Sequence, residues 1–308
     1  MSDSMLVFDR STVRRHRDRA ASSISETDFL FREAAERLLD RINDVTRRFP
    51  LALDLGCHAG QIARLLGDVS KIDHLIQCDL SAAMARLARI NGHPALVADE
   101  ETLPFGDNTL DLVISNLSLH WTNDLPGALV QIRRALKPDG LLLATVFGGE
   151  TLKELRAALI EAESEITGGA SPRISPFVDV RDAGQLMNRA GFALPVIDAD
   201  TITVTYADPL KLMADLRAMG ETNAVRERHK SFLRRDVLAR ALEIYRAQYS
   251  DSRGRVMATF QIVTMTGWAP HASQQKAMRP GSAKARLADA LNATEESLDD
   301  KTPMKRIP

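Results

Sequence analysis

Apolar positions in the first half of the chain form short runs separated by segments with helical periodicity. The runs are nearly continuous in apolar residues, which is typical of parallel strands buried on both faces of a sheet. The predicted strands are Leu51–Leu55, His74–Cys78, Pro94–Ala98, Leu110–Ser115 and Leu141–Phe147, and the predicted helices are Gln61–Leu66, Ala82–Ile90 and Leu125–Leu136. The third helix is followed by a strong turn signal, Lys137-Pro138-Asp139-Gly140. Strands that alternate with helices indicate βαβ units.

The second half of the chain carries longer helical segments and two late strands. Helices are predicted at Leu152–Ile166, Val180–Ala190, Pro209–Met219 and Arg234–Tyr249, and strands at Thr201–Tyr206 and about Thr259–Thr266. We therefore predict an α/β fold, a Rossmann-like seven-stranded and mostly parallel sheet with helices on both faces. The last two strands are expected to be more antiparallel in character.

Three segments are expected along the chain. Residues 1–45 are predicted to form an N-terminal helical lid over substrate or cofactor, and residues 46–270 the sheet domain with its helical insertions. Residues 271–308 are predicted to be a flexible tail. No aromatic residue follows Trp268, and this stretch is rich in Ala, Ser and charged residues.

Composition and charge narrow the class of protein. Of the 308 residues, 44% are hydrophobic and 26% charged, which is ordinary for a globular chain with a sizeable core. The formal net charge of −1 gives no reason to expect nucleic acid as a partner. Two cysteines, Cys57 and Cys78, are too few for a disulfide framework or a zinc site. No apolar run is long enough for a membrane span. We expect a cytoplasmic protein, because acidic residues interrupt the N-terminal arginines and mitochondrial presequences avoid acids.

A glycine-containing loop joins the first predicted strand to the first helix. The loop reads Leu-Asp-Leu-Gly-Cys-His-Ala-Gly over residues 53–60, and its candidate cofactor-binding residues are Asp54, Gly56, His58 and Gly60. Glycines at such a turn let the backbone approach a ligand closely, and the helix N-terminus offers free N–H groups. The alternative is an ordinary strand-to-helix turn, since a short glycine motif alone is weak evidence.

Acidic residues follow the next two strands. Asp79 ends the second strand, where an acid about 20 residues beyond the glycine loop typically binds ribose hydroxyls; alternatively Asp79 or Ser81 caps the helix that begins at Ala82. Asp99 follows the third strand and could accept a hydrogen bond from an adenine amino group, or be a solvated loop acid. The remaining candidate cofactor-binding residues are Leu80, Glu100 and Asn116. Because the ends of parallel strands meet at one edge, these residues predict a nucleotide-type site there.

The motifs of residues 53–60, 77–81, 98–105, 110–121 and 136–149 together resemble those of class I S-adenosylmethionine (SAM)-dependent methyltransferases. Segments in the second half, around residues 147–156, 172–177 and 219–223, are similar to the mitochondrial assembly factor family of respiratory complex I, as is the start Phe8-Asp9-Arg10. The resemblance covers roughly residues 6–270. A more distant resemblance is to the malonyl-carrier-protein methyltransferases of biotin synthesis.

The resemblance implies a SAM cofactor and a protein substrate, an arginine of an iron–sulfur subunit of complex I that is hydroxylated or methylated. It also implies a bacterial relative, with a peripheral position at the inner membrane during complex assembly. Carboxyl methylation of a carrier-protein thioester or small acid, and a non-catalytic assembly chaperone, are the alternatives. One departure concerns the motif Gly-x-Gly-x-Gly, whose middle glycine is His58 here; its side chain either crowds SAM or is tolerated by a tilted loop.

His120 is the candidate catalytic residue. It follows the fourth strand beside Trp121, where substrate meets cofactor in this fold, and could act as a general base. The more conservative interpretation is a local hydrogen bond. Methyl transfer from a sulfonium requires alignment rather than an obligatory base. Hydroxylation would call for a metal site of two histidines and a carboxylate; the only similar triplet, His16-Arg17-Asp18, predicts a solvated helix face. We expect no metal.

Five arginines between Arg10 and Arg19 could close over an acidic partner or form another solvated face.

Overall fold

Three helices precede the sheet. The computed structural model describes residues 6–67, 71–275, 282 and 287–294. Helix α1 spans Arg10–Ala20, α2 spans Ile24–Thr27 and α3 spans Phe29–Asp44. Asp9 begins α1 because its side chain accepts the backbone N–H of Thr12 at 3.1 Å. The apolar face of α3 is buried against the sheet, and this burial holds the helix in place although its other face is charged.

Seven strands form one sheet, as predicted. They are β1 (Phe49–Leu55), β2 (Ile72–Asp79), β3 (Ala95–Val97), β4 (Leu110–Asn116), β5 (Leu136–Phe147), β6 (Ala193–Tyr206) and β7 (Val256–Trp268). Their order is β3-β2-β1-β4-β5-β7-β6. The first five are parallel, and β7 pairs antiparallel with both β5 and β6. Only β7 therefore runs against the rest, because β6 is antiparallel to β7 and so has the direction of β5.

The sequence analysis places a turn at Lys137-Pro138-Asp139-Gly140, before the fifth strand, but the structure does not separate this turn from the strand. These residues lie inside β5, which begins at Leu136 rather than Leu141. The strand pairs Leu110 with Leu136 and Leu112 with Leu141, so four residues of β5 oppose one residue of β4. Asp139 takes a positive φ of 63° within this irregularity. The turn chemistry is real, but it bends a continuing strand instead of separating helix from strand.

The remaining helices are α4 (Gln61–Leu65), α5 (Ala82–Arg89), α6 (Leu125–Ala135), α7 (Lys153–Thr167), α8 (Val180–Arg189), α9 (Pro209–Met219), α10 (Arg235–Gln248) and α11 (Leu287–Leu291). Helices α4 to α10 agree with the predicted helices to within a residue or two at each end. The late strands are longer than predicted. β6 starts at Ala193, eight residues before Thr201, because its first half also pairs with β7 at the sheet edge.

The core lies on both faces of the sheet. In β4, Leu112 and Ile114 point into a cluster shared with α3, whereas Val113 points into a cluster shared with α6 and α8. This alternation explains why β4 reads as continuously apolar: every residue from Leu110 to Asn116 is buried. A third cluster contains side chains of α7, α9 and α10 and covers the far end of the sheet.

The chain divides into two compact units, Met1–His271 and Ala272–Pro308. All residues of the candidate site belong to the first unit. The predicted tail falls largely on positions outside the described residues, and α11 is the helix described there. In the described part of the chain, no helix has the length and apolar character needed to cross a membrane.

Candidate active site

The loop after β1 is built on two glycines with positive φ. Gly56 has a φ of 71° and Gly60 a φ of 79°. A Cβ on Gly56 would lie 1.9 Å from Ser118 Oγ, so no other residue fits there without displacing the end of β4. The helix that follows, α4, has only five residues, and the helix-dipole contribution expected from the sequence is correspondingly small. The loop therefore acts mainly by bringing backbone close to the sheet edge.

His58 occupies the position of the missing glycine with a φ of 48°. Its backbone N–H donates to Asp79 Oδ2 at 3.1 Å, and its ring Nε2 lies 3.1 Å from the carbonyl oxygen of Leu117. The ring packs against Phe31 of α3 at a centroid distance of 4.3 Å. Burial and the nearby Arg17 charge lower the pKa of His58, which favours a neutral ring. The loop thus tolerates histidine, and the ring fills the space between α3 and the end of β4.

Asp79 is fully buried at the end of β2. Its Oδ1 accepts the backbone N–H of Ser81 at 2.7 Å. The side chain that caps α5 is that of Ser81, whose Oγ accepts the backbone N–H of Met84 at 3.1 Å. Of the two capping candidates, Ser81 therefore performs the role, and Asp79 faces the glycine loop.

Arg17 of α1 is the main feature of the site that the sequence analysis missed. Its side chain is 1% exposed, and its Nη1 lies 3.2 Å from Asp79 Oδ2 and 2.9 Å from Glu100 Oε1. Nη2 donates to Ser118 Oγ at 2.8 Å. Burial lowers the pKa of Arg17, but the two carboxylates outweigh burial and raise it above its usual value. Helix α1, for which the sequence analysis predicted a solvated face, therefore places a positive charge between Asp79 and Glu100.

Arg10 makes the second connection from α1. Its Nη2 donates to Asp99 Oδ1 at 2.6 Å and also contacts Glu100 Oε2. Burial alone would raise the pKa of Glu100, but Arg17 and Arg10 outweigh it and hold that pKa well below its usual range. Arg10 and Arg17 are seven residues apart, two helical turns, and this spacing was the available signal that both share one face. The other arginines of the predicted cluster, Arg14, Arg15 and Arg19, are exposed.

Asp54 is completely buried, and neither carboxylate oxygen has a hydrogen-bond partner among the described residues. Burial, with a smaller contribution from the Asp79 charge, raises the pKa of Asp54 to about 8. Asn116 is also buried but fully engaged: its Nδ2 donates to the carbonyl oxygen of Phe31 at 2.7 Å, and its Oδ1 accepts from Thr145 Oγ1 at 3.2 Å. Asp54 is thus a carboxylate of the site with both oxygens unsatisfied, whereas Asn116 joins α3 to the sheet.

Leu80 and two residues of the charged triplet, His16 and Asp18, lie at the margin of the site. Leu80 packs against the apolar cluster of Phe8, Val13 and Trp121. His16 Nδ1 is 2.9 Å from Thr222 Oγ1, and Asp18 accepts from Ser81 Oγ at 2.6 Å. Among the described residues, no three or more His, Cys, Asp or Glu side chains form a group able to hold a metal ion.

A cavity of about 200 Å³ is connected to this edge of the sheet through Trp121, which lines the cavity and whose carbonyl oxygen accepts from Arg10 Nη1 at 3.2 Å. Trp121 and Phe177 contribute aromatic walls, and most of the other lining side chains are aliphatic. Glu221, which follows α9, is its acidic residue. The carboxylate Oε2 of Glu221 accepts from Trp121 Nε1 at 2.9 Å. The arrangement is a largely apolar pocket with one carboxylate at its wall.

His120 is held by Glu221. Its Nε2 lies 3.1 Å from Glu221 Oε2, and because a carboxylate only accepts, Nε2 carries the proton of that bond. The ring packs against Phe147 and Phe177, at centroid distances of 4.9 and 6.1 Å, and does not itself line the cavity. The local hydrogen bond favoured by the sequence analysis is present, and a role for His120 as a base remains a prediction.

Comparisons with known proteins agree with this architecture. Residues 53–144 match the family model described as a methyltransferase domain. A solved phosphoethanolamine N-methyltransferase 2 of Haemonchus contortus, in complex with S-adenosylhomocysteine, has a TM-score of 0.53 and 18% identity, covering 84% of this chain and 60% of that one. That likeness concerns the fold, which is the class I methyltransferase fold expected from the sequence.

Two curated relatives match over almost the whole chain. The mitochondrial arginine-hydroxylase NDUFAF5 of Danio rerio is 47% identical over 289 residues, which is 92% of this chain and 89% of the relative. The malonyl-[acyl-carrier protein] O-methyltransferase of Halorhodospira halophila is 36% identical over 282 residues, which is 90% of this chain and 94% of the relative. The matches include the second half of the chain, where Phe177 and Glu221 of the cavity are located.

Proposed function

This chain belongs to the methyltransferase-domain family that includes the arginine-hydroxylase NDUFAF5, and on that premise we propose that it is a SAM-binding enzyme that modifies an arginine side chain of a protein. The protein substrate that we propose is an iron–sulfur subunit of respiratory complex I, modified during assembly. The observation that carries the proposal is the 47% identity over 92% of the chain.

The site fits the proposed cofactor. Asp54 offers a buried carboxylate without a partner among the described residues, which suits the cationic ammonium group of SAM. Asp79 and Asp99 stand at the ends of β2 and β3, where hydroxyl and amino groups of a nucleoside can be bound in this fold. Arg17 now pairs with Asp79, so the cofactor shares that carboxylate with α1 or displaces its guanidinium.

Bound SAM supplies an electrophilic methyl group on a sulfonium centre. The contribution of the chain is to exclude water and to orient the substrate. Helix α1 closes over the acids through Arg10 and Arg17, consistent with the predicted lid. The cavity holds the substrate side chain between Trp121 and Glu221. His120 lies outside the cavity, so it is proposed as a base that acts on the substrate through Glu221, to which its Nε2 is bonded.

Carboxyl methylation of a carrier-protein thioester is the second candidate. It is favoured by the 36% identity to the malonyl-[acyl-carrier protein] O-methyltransferase of Halorhodospira halophila. A carboxylate substrate would need a cation in the cavity, and the candidate is Arg173. For both candidates we propose an enzyme located in the bacterial cytoplasm, placed at the inner membrane when it acts on complex I.

Mass spectrometry of the complex I subunit tests the proposal. In a strain that lacks this gene, one arginine of an iron–sulfur subunit should lose a single oxygen or a single methyl group relative to the parent strain. An unchanged subunit together with biotin auxotrophy would instead favour the carboxyl methyltransferase. Loss of assembly with an unchanged subunit would identify a non-catalytic chaperone.

A further inference from the structure

The cavity lined by Trp121 contains one carboxylate with a free oxygen. Glu221 uses Oε2 for both of its side-chain hydrogen bonds, from Trp121 Nε1 and from His120 Nε2. Among the described residues, Oε1 has no hydrogen-bond partner, although Glu221 lines the cavity. Two donors on one oxygen fix the orientation of the carboxylate and leave the other oxygen for a ligand.

Glu221 is kept as an anion. Burial alone would raise the pKa of Glu221, but its interactions with His120, supported by the charge of Arg17, outweigh burial and lower that pKa. A charged carboxylate against apolar walls strongly favours a ligand that brings a donor and a positive charge.

The cation in the cavity wall is already neutralised. Arg173 donates from Nη2 to Glu163 Oε1 at 2.5 Å, and Glu163 also accepts from the backbone and hydroxyl of Ser171. Recruiting Arg173 for a carboxylate substrate would therefore break a formed ion pair whose side chains are 18% and 7% exposed. Glu221 has no such permanent cation as a hydrogen-bond partner in the described part of the chain.

The walls of the cavity suit an aliphatic stem with a flat cationic head. Leu152, Leu155 and Leu216 can cover methylene groups, while Trp121 and Phe177 present aromatic rings. Guanidinium groups stack on aromatic faces and bind carboxylates through parallel N–H donors, whereas an ammonium group lacks that planarity.

We infer that the cavity is the specificity pocket for a substrate guanidinium and that Glu221 Oε1 is its acceptor. The inference rests on the proposed function, whose substrate it places in a named pocket. Trp121 and His120 act as positioning residues because each holds Glu221 Oε2. Helix α9 sets the depth of the pocket, since Glu221 directly follows Gly220 at its end.

Tryptophan fluorescence provides the test. The chain has two tryptophans, so a Trp268→Phe variant reports on Trp121 alone. The probes are N-acetyl-arginine methylamide and its neutral isostere N-acetyl-citrulline methylamide. Both probes can donate N–H groups to the carboxylate, but only the arginine probe brings a positive charge to it, so the arginine probe should bind at least about tenfold more tightly. Adding Glu221→Gln should abolish this preference, whereas Glu150→Gln, a charge removal on an exposed side chain, should retain it.

The inference is overturned if the two probes bind equally, if neither gives a saturable response, or if N-acetyl-glutamate methylamide binds in preference to both. Retained arginine preference in the Glu221→Gln variant would also overturn it. The comparison of the two probes on the Trp268→Phe protein does not depend on whether the Glu221→Gln variant folds. A calorimetric SAM titration of the same protein separates the two levels: SAM binding without arginine preference refutes only the pocket, whereas arginine preference without SAM binding refutes the proposed cofactor.

Discussion

Individual charges at the edge formed by the ends of β1, β2 and β3 are balanced unequally. Asp79 and Glu100 share Arg17, whereas Asp54 has no partner among the described residues. A buried carboxyl without a donor favours its protonated form, and the raised pKa of Asp54 follows from this. Asp54 is therefore an acid of this edge that a cation from a ligand would satisfy.

Asp54 should impose a pH dependence on stability. With a pKa raised from 3.8 to about 8, the folded state binds the proton more tightly than the unfolded state, so this contribution falls as pH rises between these values. In urea unfolding from pH 5 to pH 8, Asp54→Asn should flatten part of the decline seen for the native protein. Parallel curves for the two proteins would show that Asp54 is ionised in the folded state.

His58 should weaken cofactor binding. Its ring fills space beside the glycine loop, between α3 and the end of β4, where a glycine would leave room for the cofactor. We expect His58→Gly to tighten SAM binding about tenfold, measured by calorimetry. Equal affinity in the native protein and the variant would mean that the ring lies outside the space that the cofactor occupies.

Helix α1 is held to the sheet edge by buried ion pairs. Removing one partner of such a pair leaves an uncompensated charge and costs about 3–5 kcal/mol. Arg17→Met should destabilise the protein by roughly this amount in urea unfolding at pH 7. As a control, Arg37→Met removes a partly exposed ion pair on α3 and should cost about 1 kcal/mol or less.

The effect of Arg17 should fade in acid. The pKa of Glu100 is depressed in the folded state. The contribution of its ion pair with Arg17 to the free energy of unfolding is therefore present above about pH 4.5 and is lost as pH falls below this value. The stability difference between native protein and Arg17→Met should therefore narrow below pH 4. A difference that stays constant down to pH 3 would contradict the assigned pair.

The glycine loop after β1 is restricted both by conformation and by space. Gly56→Ala meets Ser118 Oγ at 1.9 Å in addition to its positive φ, whereas Gly92→Ala, at a φ of 86°, has nothing within 4 Å. Gly92→Ala should therefore cost about 1 kcal/mol and Gly56→Ala about 2–4 kcal/mol in urea unfolding. Similar costs for the two variants would mean that the end of β4 yields to the new methyl group.

At the scale of the whole molecule, the sequence predicts the features that depend on local patterns of apolar and polar residues. Alternating apolar runs predicted all seven strands, and the rule that parallel strand ends share an edge placed Asp54, Asp79 and Asp99 together. The roles of Arg17 and Glu221 in the site were not predicted, because their hydrogen-bond partners are 62 and 100 or more residues away in the sequence. Their positions depend on how α1 and the end of α9 pack over the edge, which no local pattern encodes.

Long-range packing also explains the misplaced turn in β5. The sequence Lys137-Pro138-Asp139-Gly140 has turn chemistry, but the pairing of Leu136 with Leu110 and of Leu141 with Leu112 carries the strand through it. Tertiary pairing thus overrides a local signal, just as burial in the site overrides the charged character of α1.

Calorimetric titration with SAM tests the central claim, that the edge formed by the ends of β1, β2 and β3 binds this cofactor. The native protein should bind SAM with micromolar affinity, and Asp79→Asn should weaken binding by about 10–100-fold, because hydrogen bonds to a charged acceptor are lost. Asp73→Asn is the matched control, since Asp73 lies near the other end of β2 in an exposed pair with Arg48. No binding by the native protein, or equal binding by Asp79→Asn, would contradict the account.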